Sequence, residues 1–195
     1  MGLDMYLKRM PRFQNATAKD VYAIQEYLSW SEEKKNPVSE AKKYTLKEWT
    51  GVEEKDVMFD ALDFYRHFYN RKYYYWDTEH KYGHDGIMEE VGYWRKANQI
   101  HNWFVESIQN GVDDCDYHRE VTKEDLEELL DICHEILCNP DVAEDRLPTQ
   151  GGFFFGSTNY DEYYIEDIKE TMDIITKVLE TTDFDVEMIY YRSSW

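Results

Sequence analysis

The chain has 195 residues, of which 42% are hydrophobic and 16% aromatic, and its formal net charge is −19. This length and apolar content are enough for one hydrophobic core, so the sequence predicts a single domain over residues 1–195. Three cysteines are an odd number, confined to a short region, and we expect reduced thiols rather than a disulfide framework. No apolar run approaches the length of a membrane span or a secretory signal, so we expect a cytoplasmic protein with no membrane contact.

The negative charge is concentrated in the second part of the chain. Residues 1–110 hold 16 basic and 18 acidic side chains, whereas residues 111–195 hold 6 basic and 23 acidic ones. Such a field repels nucleic acid over most of the surface and attracts a basic protein. The alternative is that the charge serves only solubility, as in many acidic proteins.

The pattern of the first residues and of the last ones predicts strands. Leu3, Met5 and Leu7 alternate with polar side chains over residues 2–8, which is typical of a strand with one buried face. Residues 185–192 are rich in β-branched and aromatic side chains and predict a final strand. Shorter strands are expected at residues 153–155 and within residues 112–119.

Apolar spacing predicts several helices between these strands. They cover residues 18–35, 55–69, 85–111 and 122–138. A last long helix has the apolar seam Ile165, Ile168, Met172, Ile175 and Leu179. Thr122 with Asp125, and Thr158 with Asp161, have the spacing of capping boxes. The sequence therefore predicts an α+β fold in which a small sheet with both terminal strands packs on three to five helices.

The longest predicted helix covers residues 85–111, capped by Asp85 and ended by Asn110 and Gly111. At about 100° per residue, the centre of its buried face is expected to contain Tyr93, Ala97, Ile100, Phe104 and Ile108.

One margin of the same helix brings together aromatic, cationic and amide side chains, namely Trp94, Arg95, Asn98 and His101. Such a set could hold a planar anion by stacking on the indole ring and by hydrogen bonding to the other three side chains. The alternative is a histidine at the edge of the core, with the arginine paired to a carboxylate.

The segment G-G-F-F-F-G-S-T at residues 151–158 has the glycine spacing of a phosphate-binding loop. A P-loop needs lysine after its second glycine, and Ser157 stands there instead. We therefore expect no nucleoside triphosphate hydrolysis, although Ser157 and Thr158 could hydrogen-bond a ligand. A tight turn between strand and helix is the alternative.

Three further patterns predict binding sites less specifically. Residues 64–76 combine basic and aromatic side chains that could stack on bases. Two sets have metal-binding residue types: His80 and His84 with Asp77, Glu79 and Asp85, and Cys115 and His118 with Cys133 and Cys138. Neither set has the paired short spacings of a zinc module, so we expect no metal and no cofactor, and no catalytic residue can be assigned.

Three blocks of this sequence resemble a family of small proteins encoded by bacteriophages and prophages. The blocks are M-G-L-D-M-Y-L at the start, E-V-G-Y-W-R-K-A-N-Q-I-H-N-W-F-V at residues 90–105, and L-P-T-Q-G-G-F-F-F-G-S-T-N-Y-D-E-Y-Y at residues 147–164. The resemblance implies a viral accessory protein in the bacterial cytoplasm. It implies no established activity and no site residue.

Three function classes follow from these observations. The first is a non-enzymatic counter-defence protein, comparable to anti-CRISPR proteins, whose acidic surface around Glu124, Glu128 and Asp131 binds and inhibits a basic host or defence protein. The second is a sponge for a small nucleotide-like signal, held between the long helix and the 151–158 turn. The third is an enzyme with an unrecognised site. The oligomeric state is left open.

Overall fold

The computed structural model describes residues 2–12 and 88–195. The chain divides into two compact units, one of residues 1–9 and 90–195 and one of residues 10–89. The first unit contains the elements discussed below. The predicted helices at residues 18–35 and 55–69, the aromatic segment 64–76 and the set around His80 and His84 all lie outside the described residues. The single-domain assignment stays a prediction.

Three strands form one antiparallel sheet in the order β2-β1-β3. They are β1 (Asp4–Pro11), β2 (Glu89–Arg95) and β3 (Glu187–Ser194). The alternating apolar side chains Leu3, Met5 and Leu7 are fully buried, as predicted, because β1 is the central strand. A pair between Lys8 Nζ and Glu90 Oε2, 3.1 Å apart, links β1 to β2 across the sheet.

The described residues contain four α-helices. They are α1 (Asn98–Ser107), α2 (Lys123–Cys138), α3 (Ala143–Arg146) and α4 (Glu162–Thr181), with a 3-10 turn at Pro140–Val142 before α3. Together with the sheet of both terminal strands, they confirm the predicted α+β class. None of the described helices is both long and apolar enough to cross a membrane.

The prediction of one long helix over residues 85–111 is wrong. Residues 89–95 form β2, Lys96 takes a left-handed conformation with φ of 63°, and within residues 88–111 only residues 98–107 are helical. Tyr93, expected in the core, is 39% exposed, because a strand turns it away from its neighbour Trp94, which is buried. At Gly92 the strand packs directly against α4, since a Cβ there would lie 2.7 Å from Ile174 Cγ2.

The aromatic centre of the core joins α1 to the sheet. Phe104 of α1 stacks on Tyr191 of β3 with ring centroids 4.1 Å apart and 5° between the ring planes. Trp94 of β2 approaches the same phenylalanine at 6.0 Å. These three large rings are almost inaccessible to solvent, so they contribute much of the apolar area buried by this unit.

Local signals predicted α2 correctly and α4 in part. Thr122 caps α2, and both halves of its capping box with Asp125 are present. At α4 the cap is Asp161 itself, which accepts hydrogen bonds from the N–H groups of Tyr163 and Tyr164, so the predicted pair with Thr158 is wrong. The strands predicted at residues 153–155 and within 112–119 are also wrong, because both segments are turns and irregular chain.

We expect Thr122→Ala to lower the free energy of unfolding by about 1 kcal/mol, because it removes the acceptor for the Asp125 N–H at the start of α2. Urea denaturation followed by circular dichroism measures the change. Thr158→Ala is the matched control, since this exposed side chain makes no hydrogen bond within the described residues. Equal losses from the two substitutions would contradict the capping role.

Candidate functional site

Asn98 connects the start of α1 to the turn at residues 150–157. Its Nδ2 donates to the carbonyl oxygens of Phe155 (3.0 Å) and Ser157 (2.7 Å), and its Oδ1 accepts from the N–H of Gln150 (2.8 Å). The side chain is 1% exposed. All of its polar atoms are therefore used to hold the turn, and none is left for a ligand.

His101 lies one helical turn further along α1 and is completely buried. Its Nε2 lies 3.1 Å from Asp113 Oδ2, and its Nδ1 lies 2.7 Å from the hydroxyl of Tyr191. Since the Asp113 carboxylate only accepts, we assign the ring proton to Nε2, and Nδ1 accepts from Tyr191. Asp113 also accepts a hydrogen bond from the indole N–H of Trp195 at 3.0 Å.

Burial lowers the pKa of His101 from its ordinary value, and the hydrogen bond and charge of Asp113 offset only part of that shift. The same burial raises the pKa of Tyr191 well above its usual value. The ring of Phe155 meets the imidazole edge to face at 5.1 Å and completes the apolar surroundings. The histidine is therefore neutral near pH 7 and acts as a bridge between α1, β3 and the loop after α1.

Trp94 is not available for stacking on a ligand. It is 1% exposed, and its Nε1 donates to Thr171 Oγ1 on α4 at 2.9 Å. The predicted binding margin on one helix is wrong, because Trp94 and Arg95 belong to β2 while Asn98 and His101 belong to α1.

The structure divides the six residues of the predicted ligand site into two groups. Trp94, Asn98 and His101 are buried and hydrogen-bonded within the protein, whereas Arg95, Ser157 and Thr158 are exposed. The 151–158 turn does lie against α1, as expected, and Asn98 hydrogen-bonds it there. A role in ligand binding is still open for the three exposed residues.

The turn itself is held in a defined shape. The N–H of Phe155 donates to the carbonyl of Gly152, and Gly156 adopts φ of 93°, which an L side chain rarely takes. Phe155 is buried against His101 and Trp195, while Phe153 is 95% exposed. The three consecutive phenylalanines therefore have different roles.

The proposed acidic surface lies on α2. Glu124, Glu128 and Asp131 are all exposed, and their spacing places them within about 60° of one another around the helix. None of the three forms an ion pair or hydrogen bond within residues 2–12 and 88–195. The sequence prediction of an exposed carboxylate face on this helix is consistent with that arrangement.

The cysteine and histidine set is not assembled into a metal site. Cys133 is buried in the apolar face of α2, where burial raises the pKa of its thiol to about 12, and Cys138 is exposed. His118 Nε2 lies 2.8 Å from Asp114 Oδ1. Across the described ranges, no group of three or more His, Cys, Asp or Glu side chains could hold a metal ion.

Sequence reasoning missed the partners that give the buried polar groups their roles. Asp113, Thr171 and Tyr191 are hydrogen-bonded to His101 or Trp94 from distant parts of the chain. The capping pattern of α2 is visible locally, but no spacing signal links these three residues to α1 or β2.

Comparison of the chain with protein-family models, with curated proteins and with solved structures finds no match. The geometry described above is therefore the basis for assigning a function.

We expect Asn98→Ala to lower the free energy of unfolding by roughly 2–4 kcal/mol, because three hydrogen bonds are lost and buried backbone groups of the turn are left unpaired. Hydrogen exchange should show the largest loss of protection at residues 150–157. Asn102→Ala is the control, because this half-buried side chain of α1 makes no hydrogen bond within the described residues. Unchanged exchange in the turn would rule out the role given to Asn98.

The lowered pKa of His101 predicts that the protein loses stability as the pH falls below about 6.5. Below that pH the unfolded state binds a proton that the folded state does not, and the free energy of unfolding falls by at most about 1.4 kcal/mol per pH unit. Denaturation at pH 7.5, 6.5 and 5.5 measures this slope. His101→Gln should flatten it and His134→Gln, on the exposed side of α2, should not; a slope identical in the two variants would contradict the assignment.

Proposed function

We propose that this chain is a phage accessory protein that binds and inhibits a basic host or defence protein without catalysing a reaction. The observation that carries the proposal is the row of exposed carboxylates on α2, formed by Glu124, Glu128 and Asp131. Each is free of intramolecular ion pairs within the described residues. The viral origin rests on the resemblance of the three sequence blocks.

Several other carboxylates of residues 111–195 bind groups within the protein. Asp125 holds Arg119 with contacts of 2.7 and 2.9 Å, and Asp113 binds His101 and Trp195. Glu135, which would extend the α2 row by one turn, is paired with Arg146 at 2.7 Å. The three carboxylates of the row have no paired cation in the described residues, so an external partner can bind them without displacing one.

The charge on α2 is more uniform than the charge on α4. Helix α2 has six acidic residues and one basic residue, Lys123, which pairs with Glu127. Helix α4 also has six acidic residues, but Lys169 and Lys177 are exposed among them. A positively charged surface would therefore meet less repulsion at α2 than at α4.

Binding rather than catalysis is proposed because the most buried polar groups near the 151–158 turn in the described residues are used inside the protein. His101 and Asn98 have their hydrogen-bonding atoms occupied, and the Cys133 thiol is protonated at neutral pH because its pKa is about 12. A basic protein is favoured over nucleic acid as a partner by the excess of 41 acidic over 22 basic residues.

Reversing the α2 row with Glu124→Lys, Glu128→Lys and Asp131→Lys should weaken binding of the basic partner by about 100-fold at low salt, since each lost charge pair contributes roughly 1 kcal/mol. The partner is identified by capture from bacterial extract with the wild-type chain, purified, and its Kd measured by calorimetry. Raising the ionic strength from about 0.1 to 0.5 M should weaken wild-type binding as well.

The matched control reverses three exposed acids of α4 with the same spacing, through Glu166→Lys, Glu170→Lys and Asp173→Lys. This variant has the same net charge as the α2 variant and should keep most of the affinity, with folding of both checked by circular dichroism. Equal losses in the two variants, or binding indifferent to salt, would exclude a docking site on α2.

A further inference from the structure

Arg95 and Lys96 are adjacent exposed cations without a counter-ion in the described ranges. Neither side chain forms an ion pair or a hydrogen bond within the part of the chain that the structure describes. Five other described basic residues each pair with a carboxylate: Lys8, Arg9, Arg119, Lys123 and Arg146. Lys169 and Lys177 of α4 also form no ion pair within the described residues, but they are eight positions apart, whereas Arg95 and Lys96 are adjacent.

The two side chains converge instead of separating. The position that a Cβ of Gly2 would occupy lies 3.4 Å from Lys96 Cε and 3.8 Å from Arg95 Nη2. Both side chains therefore pass the same point beside Gly2. Two like charges held close together repel each other, and a bound anion would remove that cost.

Backbone hydrogen bonds fix this arrangement beside the 151–158 turn. Lys96 has φ of 63°, an unfavourable conformation for a residue with a side chain, and its N–H donates to the carbonyl of Leu3 at 2.8 Å. The N–H of Leu3 donates in turn to the carbonyl of Phe154 at 3.1 Å. A Cβ on Gly156 would lie 3.2 Å from Lys96 Cβ, so the two turns are in direct contact.

The turn that contacts Lys96 through Gly156 also carries an exposed aromatic ring and hydroxyl groups. Phe153 is 95% exposed and is braced edge to face by Phe154 at 4.9 Å. Ser157 and Thr158 are exposed on the other side of Gly156. An exposed ring and two hydroxyls on a turn that contacts Lys96 provide the groups that would complement a ligand with a planar base and a phosphate.

We propose that Arg95, Lys96 and the 151–158 turn form a binding site for a nucleoside phosphate. The guanidinium and ammonium groups hold the phosphate, the hydroxyls of Ser157 and Thr158 donate to it, and the ring of Phe153 stacks on the base. The site is independent of the acidic row on α2 and shares no residue with it.

The test is calorimetric titration of the folded full chain with AMP, adenosine and inorganic phosphate. AMP should bind with a Kd of roughly 0.1–1 mM, as expected for an open surface site, and adenosine at least about 10-fold more weakly. R95Q/K96Q should weaken AMP binding by about 10-fold or more. F153A should weaken AMP binding while leaving phosphate binding unchanged. The melting temperature of each variant verifies folding.

The control variant K169Q/K177Q removes two exposed lysines of α4 and the same amount of charge, and it should bind AMP like the wild type. Equal weakening by both double variants would overturn the site, as would no AMP binding at about 10 mM. AMP binding unaffected by F153A would overturn the assignment of a nucleoside. The α2 charge-reversal variant should retain AMP binding, so this proposal and the proposed function can fail separately.

Discussion

The side chain of Asn98 is the constraint on which the polar part of this structure depends. A buried primary amide is costly unless its donors and acceptor are satisfied, and here three backbone groups of the 150–157 turn satisfy them. The turn is thereby fixed against α1, which places Phe155 on the ring of His101. The buried His101 can then bridge Tyr191 and Asp113. Loss of the Asn98 hydrogen bonds would release the turn and so remove Phe155 from the ring of His101.

Because these buried polar groups are hydrogen-bonded within the protein, the proposed binding surfaces lie elsewhere. The most conspicuous side chains in the sequence, Trp94, Asn98 and His101, stabilise the fold and face inward. Within the described residues, the two surfaces proposed for recognition are exposed: the carboxylate row of α2, and the cations at residues 95–96 with Phe153. Both surfaces are carried by backbone held in place by capping or by hydrogen bonds, so binding would cost little backbone ordering entropy.

Local patterns in the sequence are sufficient for β1, α2 and the α+β class. Thr122 and Asp125 are three residues apart, so their capping box is visible without knowledge of the fold. Residues 89–95 are predicted as helix because Tyr93, Ala97, Ile100 and Phe104 fit a helical period, but packing of Gly92 against Ile174 favours a strand there. The contacts of His101 with Tyr191 and of Trp94 with Thr171 join residues 90 and 77 positions apart. No periodicity encodes such pairs, and for the same reason the inward direction of Phe155 and the outward direction of Phe153 could not be distinguished.

The charge distribution of this acidic chain bears on the size of the anion that the proposed cation site would accept. At physiological salt, charges further apart than about 8 Å are largely screened, so a single phosphate at Arg95 and Lys96 would interact mainly with those two groups. A nucleic acid strand would extend well beyond that distance and also meet the carboxylates that dominate residues 111–195. Added salt would weaken both the proposed phosphate contact and the proposed docking of a basic protein on α2, but it would also reduce the repulsion of a polymer. The two proposed surfaces have opposite signs, so they are compatible with each other in one chain, while the overall charge works against nucleic acid.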